Sequence, residues 1–491
     1  MSSDPDMSSR ARPLRTRVVR ATALIFAGNG AGQLLRLISN LILSRLLFPE
    51  AFGLIAIVSM INTGLQMFSN VGVKPAIIRH EHGDEQEFLD TAWTLQVLRG
   101  FFLWLIGTLL ALPAATFYHQ EGLVALIPVA SAVAILDGFA STKLITLTRR
   151  LELGRTVAIR LISKLVSLVM MVALAWAFRS VWALVAGSLV QAATRTLLTH
   201  VAIPGVGNRF RWHPGHGREL LSFGKWILLS TAFTFMAQRV DVFILARKVP
   251  MDLLGVYSIG ILISGAARVL TGRFVQNVLM ASLSEAQRTS PDRLRANLRT
   301  SKRLVLPGGV LICLAGVAAS PAFFYYLYDP RYWGAGWIAQ LSMAVLWFGL
   351  LQEANGRALL AIGDSRSLAW SNAVRTVVAG VGCVVGIRWL GVAGALLGMA
   401  GGAAAAWGCV AVALRSHEIG TSGHDIAATA VGLGLAGLCV VTPHWLASAP
   451  WPGTEDLARL APLTLIVGFA MLIPLGARFG IHAWRTLIRR T

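Results

Sequence analysis

The sequence predicts an all-α membrane protein of about fourteen transmembrane helices, and three observations support this fold class. Apolar residues make up 55% of the 491 residues and charged residues only 14%, whereas soluble domains average about 45–50% and about 25%. The mean hydropathy is +0.64. Apolar runs of about 20 residues, enough to cross a bilayer, recur along the chain. The short linkers between them leave no room for a soluble domain.

The predicted spans define the domain organisation. Residues 1–20 form a basic tail before an apolar run that is too long for a cleavable signal peptide, so we expect an uncleaved first span. Helices 1–6 occupy 21–203 as a first lobe, and 204–220 is a basic linker. Helices 7–12 occupy 221–415 as a second lobe, and 416–491 holds helices 13 and 14 with a basic tail. The spans are 21–43, 51–73, 91–117, 122–145, 157–178, 181–203, 221–246, 253–280, 303–327, 335–361, 368–390, 392–414, 425–447 and 459–481.

The charge distribution predicts the orientation. The net charge of +21 would suggest nucleic acid binding in a soluble protein. Here the cations cluster in alternate loops and at both ends, as the positive-inside rule requires of cytoplasmic segments. Both termini are therefore predicted to be cytoplasmic, and no nucleic-acid partner is expected. The four cysteines lie in apolar runs, which indicates neither a disulfide framework nor a zinc site.

Two similar segments predict an internal repeat. "RLISNLILSRLLFPEAFGL", from residue 36, aligns with "QRVDVFILARKVPMDLLGV", from residue 238, and places Arg45 and Gly53 on Arg247 and Gly255. Each copy has a cation and a proline in a short turn, followed by a glycine early in the next helix. The match falls where a parallel repeat of six plus six helices would place it. Transporters built of repeats bind substrate at the repeat interface.

Polar residues recur at helical spacing in four spans. In the first helix they lie four, three and four residues apart, which places them on one face. Such a face avoids lipid, because a charge at the bilayer centre costs at least about 2.5–3.5 kcal/mol. We favour a water-filled cavity over hydrogen bonding between helices alone. These stripe residues are Asn29, Gln33, Arg36 and Asn40; Ser59, Asn62, Gln66 and Asn70; Ser230, Thr234, Gln238 and Asp241; and Ser264, Arg268 and Thr271.

Cations outnumber acids within and near the spans. Arg36 and Arg268 lie too deep for their side chains to reach the membrane surface easily. Arg357 follows Glu353 by four residues, and this pair is expected to neutralise itself. The cations that remain predict an anionic ligand. Arginine suits phosphate, because its planar guanidinium donates two parallel hydrogen bonds to paired oxygens.

Other charges in the spans have simpler explanations. Asp241 is expected to pair with Arg239 or Arg36. Arg160 and Lys164 are predicted to lie nearer the cytoplasmic ends of their helix, where their long side chains can reach the interface.

No catalytic motif is evident. The sequence has no GxxxxGK[ST] phosphate-binding loop, so ATP is not expected to drive this chain. It also has no HExxH motif, and no serine, histidine and aspartate are arranged as in a hydrolase. We therefore predict a protein that is not an enzyme and has no cofactor.

Several motifs together resemble those of bacterial polysaccharide transporters, the O-antigen and exopolysaccharide flippases. "SRLLFPEAFGL", "FSNVGVKPAIIR" and "DTAW" are similar to the start of that family. "LYDPRYWGAGWIAQLSM", "AIGDSRSLAWSNAVRTVV" and "GVAGALLGMA" resemble its later turn, cytoplasmic loop and helices. The resemblance runs over residues 21–415. The superfamily also contains the multidrug/toxin extrusion antiporters and the lipid II flippase.

The resemblance implies a fold and a cargo. Two six-helix bundles would form a V and work by alternating access, with two C-terminal helices that can offer a groove for a lipid tail. The cargo would be an undecaprenyl-pyrophosphate-linked oligosaccharide, moved across the bacterial inner membrane for surface polysaccharide synthesis. Membrane lipids are expected partners, together with a polymerase or co-polymerase of the same pathway.

The resemblance also assigns roles to residues. Arg36 and Arg268 are the first pyrophosphate candidates, followed by Arg239 and Arg375. Asp241 is the first candidate for coupling to an H⁺ or Na⁺ gradient, and Glu353 is the second. The expected substrate-binding residues are Arg36, Arg268, Arg239, Arg375, Asn29, Gln33, Asn40, Asn62, Gln66 and Gln238.

Three alternatives remain open from the sequence. A multidrug antiporter of the same superfamily carries mainly cationic cargo, which the surplus of arginines disfavours. A polysaccharide polymerase or ligase needs large extracytoplasmic loops with catalytic residues, and the sequence has none. A scaffold that transports nothing would leave glycan export unaltered when the gene is deleted.

Overall fold

The computed structural model describes residues 14–68, 77, 85–150, 152–215, 235–236, 238–286, 291–417, 419 and 422–446. These residues form helices joined by short turns, without any strand. Eight of these helices are long and apolar enough to cross a membrane, or nine if one bent pair is a single span. The all-α membrane fold is therefore confirmed, and the total of fourteen helices stays a prediction. The predictions for 1–13, 221–234, 459–481 and the C-terminal tail fall outside the described residues, as do Asn70, Ser230 and Thr234.

Backbone contacts divide the chain into two compact units. The first unit comprises Met1–Leu47 and Ile57–Ala232, and the second comprises Phe48–Ala56 and Phe233–Thr491. The second of the predicted helices thus begins in one unit and continues in the other. The six-helix lobes themselves stay a prediction.

The helices of the first unit differ from the predicted spans at one place. The predicted span 122–145 is broken into three helices, with a bend of 62° before the last. The Gln96 amide nitrogen lies 3.1, 3.1 and 3.2 Å from the carbonyl oxygens of Asp137, Gly138 and Ala140, so its two N–H groups supply donors to the carbonyls at the break. The helices are α1 Leu14–Leu46, α2 Pro49–Phe68, α3 Gln86–Tyr118, α4 Leu123–Ser131, α5 Val133–Gly138, α6 Lys143–Arg149, α7 Leu153–Phe178 and α8 Trp182–Val201.

The second unit contains a predicted helix boundary at a glycine. Gly391 adopts φ 58° and ψ −138° inside α13, a conformation that only glycine adopts readily. It separates two helical arms where the sequence predicted one span to end and the next to begin. The arms pack closely because Gly386 and Gly394 face each other without side chains. The helices are α9 (238–248), α10 Met251–Ala286, α11 Pro291–Leu327, a 3₁₀ turn Pro330–Tyr332, α12 Ala335–Ala361, α13 Ser365–Ser416 and α14 Ser422–Leu446.

The two copies of the predicted repeat meet in a reciprocal contact within the second unit. A Cβ on Gly53 would meet the backbone carbonyl oxygen of Met251, and a Cβ on Gly255 would meet that of Pro49. In the sequence alignment Gly53 matches Gly255 and Pro49 matches Met251. Equivalent residues therefore make equivalent contacts, which supports the repeat. Glycine is needed at both places because the two backbones touch.

Aromatic side chains hold the start of α2 in the second unit. Asp329 accepts hydrogen bonds from the backbone and side chain of Arg331, and the Arg331 guanidinium lies 4.8 Å from the centre of the Phe48 ring. The rings of Phe52 and Tyr332 meet edge to face at 5.8 Å. Aromatic and cation–π contacts therefore join this turn to the start of α2.

A buried ion pair fixes α14 to the rest of the second unit. The Lys302 ammonium donates to Asp425 Oδ2 at 2.8 Å and to Asn355 Oδ1 at 2.7 Å. Asn355 and Trp407 also donate to the same Asp425 oxygen, at 3.0 and 3.2 Å. Both charged side chains are fully buried, so each charge depends on the other.

Candidate functional site

The second unit contains a polar cavity of about 440 Å³. Residues of α9, α10, α12 and α13 form its wall. The cavity brings together four residues predicted from the sequence, namely Gln238, Arg268, Glu353 and Arg375. Thr271, which belongs to a predicted polar stripe, also lines it. The other polar lining residues, which were not predicted from the sequence, are Gln352, Arg357 and Asn372.

Arg375 is held by amide groups. Its guanidinium donates to Gln352 Oε1 at 2.9 Å, and the Gln352 amide nitrogen donates to Asn372 Oδ1 at 2.9 Å. Within the described residues, no carboxylate lies within 4 Å of Arg375. Amide oxygens orient a guanidinium without cancelling its charge, so Arg375 keeps a full positive charge for a ligand.

Arg268 is the second cation of this wall for which the described residues provide no ion pair. Its exposed side chain lines the cavity on α10, three residues before Thr271 and on the same face. Asp241 and Glu353 lie close enough to act on it electrostatically, but neither carboxylate reaches within 4 Å in the part of the chain that the structure describes. The cavity therefore offers two cations on separate helices.

The expected pairing of Glu353 with Arg357 is confirmed. The Arg357 guanidinium donates to Glu353 Oε1 at 3.0 Å, one turn apart on α12. Gly272 of α10 faces this carboxylate, and a Cβ there would lie 3.4 Å from Glu353 Oε2. This pair contributes little net charge to the cavity.

The expected pairing of Asp241 with Arg239 is wrong. Asp241 is buried and accepts a hydrogen bond of 2.6 Å from the Tyr257 hydroxyl, whose oxygen also lies 3.8 Å from the sulfur of Met399. Residues two apart on a helix point roughly 200° away from each other, so Arg239 cannot reach this carboxylate. The other oxygen, Oδ1, is buried and has no hydrogen-bond partner among the described residues.

Two amide side chains in the polar stripe of α1 donate hydrogen bonds to the backbone of the same helix. Asn29 donates to the carbonyl of Ile25 at 2.5 Å, and Asn40 donates to that of Arg36 at 2.7 Å. Gln33 is half-buried and Arg36 is exposed. The substrate-binding role of these four residues stays a prediction.

In the polar stripe of α2, one predicted residue is bonded to a neighbouring helix and another has an exposed side chain. Asn62 Oδ1 accepts a hydrogen bond of 2.8 Å from Ser131 of α4, so Asn62 holds two helices together. Gln66 presents an exposed side chain, while its backbone oxygen accepts from Arg99 at 3.0 Å.

Lys164 lies deeper in its helix than the predicted span implies. This residue lies fourteen residues before the end of α7 at Phe178, a distance of about 21 Å along a helix. It is therefore near the middle of α7, and its ammonium donates to the carbonyl of Gly32 on α1 at 3.3 Å. That its side chain reaches the membrane interface stays a prediction.

An apolar groove of about 660 Å³ lies elsewhere in the second unit, between α11, α12, α13 and α14. Trp337 and Trp347 of α12 and Leu433 of α14 contribute to its wall. The groove depends on the position of α14, which the buried Lys302–Asp425 pair holds.

The fold is similar to that of known membrane transporters. The structure of lipid II flippase MurJ in an inward closed conformation is 11% identical, with 96% of this chain and 100% of that chain covered and a TM-score of 0.67. An inward-facing multidrug resistance MATE family transporter of the MOP superfamily is 16% identical, with 78% and 94% covered and a TM-score of 0.60. At these identities the likeness shows the fold, which is that of a multi-pass membrane transporter.

Residues 42–321, more than half of the chain, match the family described as polysaccharide biosynthesis protein. The chain belongs to this family. A curated relative, teichuronic acid biosynthesis protein TuaB of Bacillus subtilis (strain 168), is 20% identical over 304 residues, which are 61% of this chain and 62% of that protein. The match therefore spans less than two thirds of that relative. The resemblance to a family of polysaccharide proteins is therefore confirmed.

Proposed function

We propose that the chain moves undecaprenyl-pyrophosphate-linked oligosaccharide repeat units from the cytoplasmic to the periplasmic leaflet of the bacterial inner membrane. The units would serve surface polysaccharide synthesis, in keeping with the family to which the chain belongs. Transport would follow alternating access, in which the binding site is open to one side of the membrane at a time.

One observation carries this proposal: two cavity arginines, Arg268 and Arg375, have no carboxylate partner among the described residues. A cation in a low-dielectric cavity is stable only when an opposite charge compensates it. The neutral amide of Gln352 binds Arg375, and Glu353, the one acid among the described lining residues, is already bonded to Arg357. An incoming diphosphate would supply the missing negative charge and the paired oxygens that guanidinium groups bind.

The same unit offers a place for the lipid tail. The groove between α11 and α14 has an apolar lining, and a polyprenyl chain buries apolar surface at about 25 cal/mol per Å². The tail would remain in this groove or in the surrounding lipid while the cavity holds the diphosphate.

Asp241 is our candidate for coupling transport to an ion gradient. Its Oδ1 atom is buried without a partner in the described structure, and Tyr257 donates to its other oxygen. Asp241→Asn keeps a side chain that can accept from Tyr257 but cannot carry charge. We expect this variant to bind cargo and to lose the dependence of transport on the gradient, measured in proteoliposomes with and without an imposed H⁺ or Na⁺ gradient.

The first test of the function is glycan export in a deletion strain complemented with variants. Arg268→Ala and Arg375→Ala should each reduce surface polysaccharide at least about tenfold, because each removes a charge-assisted hydrogen bond to the diphosphate. Repeat units should accumulate inside the cell. Arg366→Ala is the matched control, since Arg366 is exposed and lies at the start of the same helix, α13, as Arg375. Normal export by both variants, at normal protein abundance, would refute the assignment of this cavity.

A multidrug antiporter is the second candidate, because the fold also resembles a MATE transporter and Asp241 could hold a cation. A drug-susceptibility panel on the deletion strain separates the two functions. Greater drug sensitivity with normal glycan export would favour the antiporter.

A further inference from the structure

We propose that residues 207–213, here called the strap, form a docking surface for the headgroups of anionic phospholipids at the edge of the first unit. The strap follows α8, which ends at Val201, and it belongs to the linker that the sequence predicts on the cytoplasmic side. Its sequence is GNRFRWH, in which arginines alternate with aromatic residues. This surface is separate from the cargo site, so the proposal does not depend on the cargo.

The backbone of the strap is fastened to the start of α3. The backbone N–H of Arg209 donates to Asp90 Oδ1 at 3.0 Å, and that of Arg211 donates to Thr94 Oγ1 at 3.1 Å. Asp90 is buried. Because the backbone makes these bonds, both arginine side chains are left available for another partner.

A second set of bonds fixes the strap to the broken span. Asn208 Oδ1 accepts from the Ser141 hydroxyl at 2.8 Å, and the Asn208 amide nitrogen donates to Thr142 Oγ1 at 2.7 Å. Ser141 and Thr142 are both buried. The strap is therefore held on two sides, as a defined surface of the first unit.

The strap lies beside the end of a membrane-crossing helix. The 33 residues of α3 span about 50 Å, which exceeds the hydrocarbon core of about 30 Å by about 20 Å. Asp90 and Thr94, which hold the strap, lie within about 12 Å of the first residue of α3. The strap thus lies near the boundary between the lipid tails and the headgroups.

The side chains of the strap combine positive charge with exposed aromatic surface. Arg209 and Arg211 are exposed, and the described residues provide neither guanidinium with an ion pair. Phe210 is 64% exposed and Trp212 is 47% exposed. The Phe210 ring centre lies 4.7 Å from that of the buried Trp93 on α3, which places this ring against the membrane-crossing helix.

A loop surrounded only by water would explain the arginines but not the aromatic rings. Exposed cations are well hydrated, whereas two exposed aromatic rings gain nothing from water. The headgroup layer suits both groups, because aromatic rings are enriched there and guanidinium groups bind phosphate oxygens. The cytoplasmic leaflet is the one that carries anionic lipids. A soluble acidic protein could also meet the arginines, but the position of the strap beside α3 favours the leaflet.

The test measures how strongly phosphatidylglycerol collects around the strap of the full-length chain in nanodiscs. A fluorophore is attached at Val206→Cys, an exposed position next to the strap. Three of the four native cysteines are buried, and the chain without this change, treated identically, gives the background. Quenching is compared between nitroxide-labelled phosphatidylglycerol and nitroxide-labelled phosphatidylcholine, each diluted into unlabelled phosphatidylcholine.

We expect phosphatidylglycerol to give half-maximal quenching at a fraction about 25-fold lower than phosphatidylcholine, because each of two basic residues near an anionic surface contributes roughly fivefold. Arg209→Gln/Arg211→Gln should bring the two lipids close to equality. Arg366→Gln/Arg388→Gln is the matched control, since it removes two exposed arginines from α13 of the second unit and the same net charge. Its preference for phosphatidylglycerol should equal that of the unaltered strap.

The variant Thr94→Val tests the fastening of the strap without changing any charge. It removes the acceptor of the Arg211 N–H, so the preference for phosphatidylglycerol should fall severalfold. An unchanged preference in Thr94→Val would indicate a loose cationic loop and would overturn the proposal.

Three further results would also overturn it. These are equal quenching by the two lipids around the unaltered strap, a full preference that survives in Arg209→Gln/Arg211→Gln, and quenching by neither lipid. The last result would place the strap away from the leaflet and would point to a soluble acidic partner.

Discussion

The two units treat their internal charges differently. In the second unit, Lys302 is bonded to Asp425 and Arg357 to Glu353, so the chain neutralises these two cations itself. In the first unit, the charged groups that act most strongly on Lys164 are Arg160 and Arg36, and no carboxylate of the described residues lies within 4 Å of its ammonium. A cation that the chain pairs with its own acid serves the fold. A cation placed beside other cations gains no such stabilisation.

The cavity of the second unit contains both a cation that is paired with an acid and a cation that is not. Arg357 is paired, while Arg375 is oriented by Gln352 and Asn372 without losing its charge. The contrast between paired and unpaired cations can therefore be tested by stability measurements. Paired cations should be costly to disrupt, and unpaired ones should be cheap to remove.

The largest expected effect on stability comes from breaking the buried pair that holds α14. Asp425→Ala leaves the fully buried Lys302 ammonium without compensation, which should lower the free energy of unfolding by about 3–5 kcal/mol. Unfolding in detergent, followed by circular dichroism, measures this. The double variant Lys302→Met/Asp425→Leu should recover most of the loss, because it leaves no buried charge. A loss below about 1 kcal/mol in Asp425→Ala would contradict the role of the pair.

The second effect concerns the reciprocal glycine contact. Gly255→Ala places a methyl group against the carbonyl oxygen of Pro49, and the strain should cost about 1–3 kcal/mol. Gly265→Ala is the control on the same helix, since a Cβ there meets no atom within 4 Å. That change should stabilise the helix slightly, by up to about 1 kcal/mol. Equal thermal stability of the two variants would show that the close backbone contact is unimportant.

The third prediction compares two lysines. Lys164→Met should change the free energy of unfolding by less than about 1 kcal/mol, because the loss of one hydrogen bond is offset by relief of repulsion from Arg160. Lys302→Met leaves Asp425 buried and unpaired, and it should cost about 3–5 kcal/mol. Chemical unfolding of both variants under identical conditions gives the comparison. A similar loss in both would mean that Lys164 has a structural role.

The smallest expected effect on stability concerns Asp364, which pairs with His417 near the surface of the second unit. Hydrogen bonds from the Ser367 side chain and then its backbone N–H, with a smaller effect of His417, lower the pKa of Asp364. A lowered pKa in the folded state stabilises the fold above the unfolded pKa of about 3.9, and this stabilisation is lost as the pH falls. Asp364→Asn should thus be slightly less stable than the unaltered chain at neutral pH. The difference in melting temperature should begin to shrink near pH 4 and should vanish only below the lowered pKa of Asp364.

Several features of the site could be predicted from local spacing. The pairing of Glu353 with Arg357 follows from their separation of one helical turn, and the break at Gly391 follows from a glycine between two apolar runs. The cavity position of Arg268 follows from a charge that apolar surroundings cannot accept. These features depend on residues that are close together in the chain, so they can be predicted from the sequence.

Other features depend on residues far apart in the chain. Nothing near Asp425 indicates that it meets Lys302, and nothing near Gln96 indicates that it stabilises the break after Gly138. The pairing of Asp241 with Tyr257 rather than Arg239 depends on how α9 packs against α10. The depth of Lys164 becomes clear only when the ends of α7 are known.

The sequence by itself determined that this chain is a helical membrane protein with more cations than acids in its interior, because composition and helical periodicity are local properties. Only the tertiary structure decided which of those cations lie within bonding distance of the chain's own acids. The physical reason is that electrostatic compensation depends on distances of a few ångströms between helices, and helix packing sets those distances.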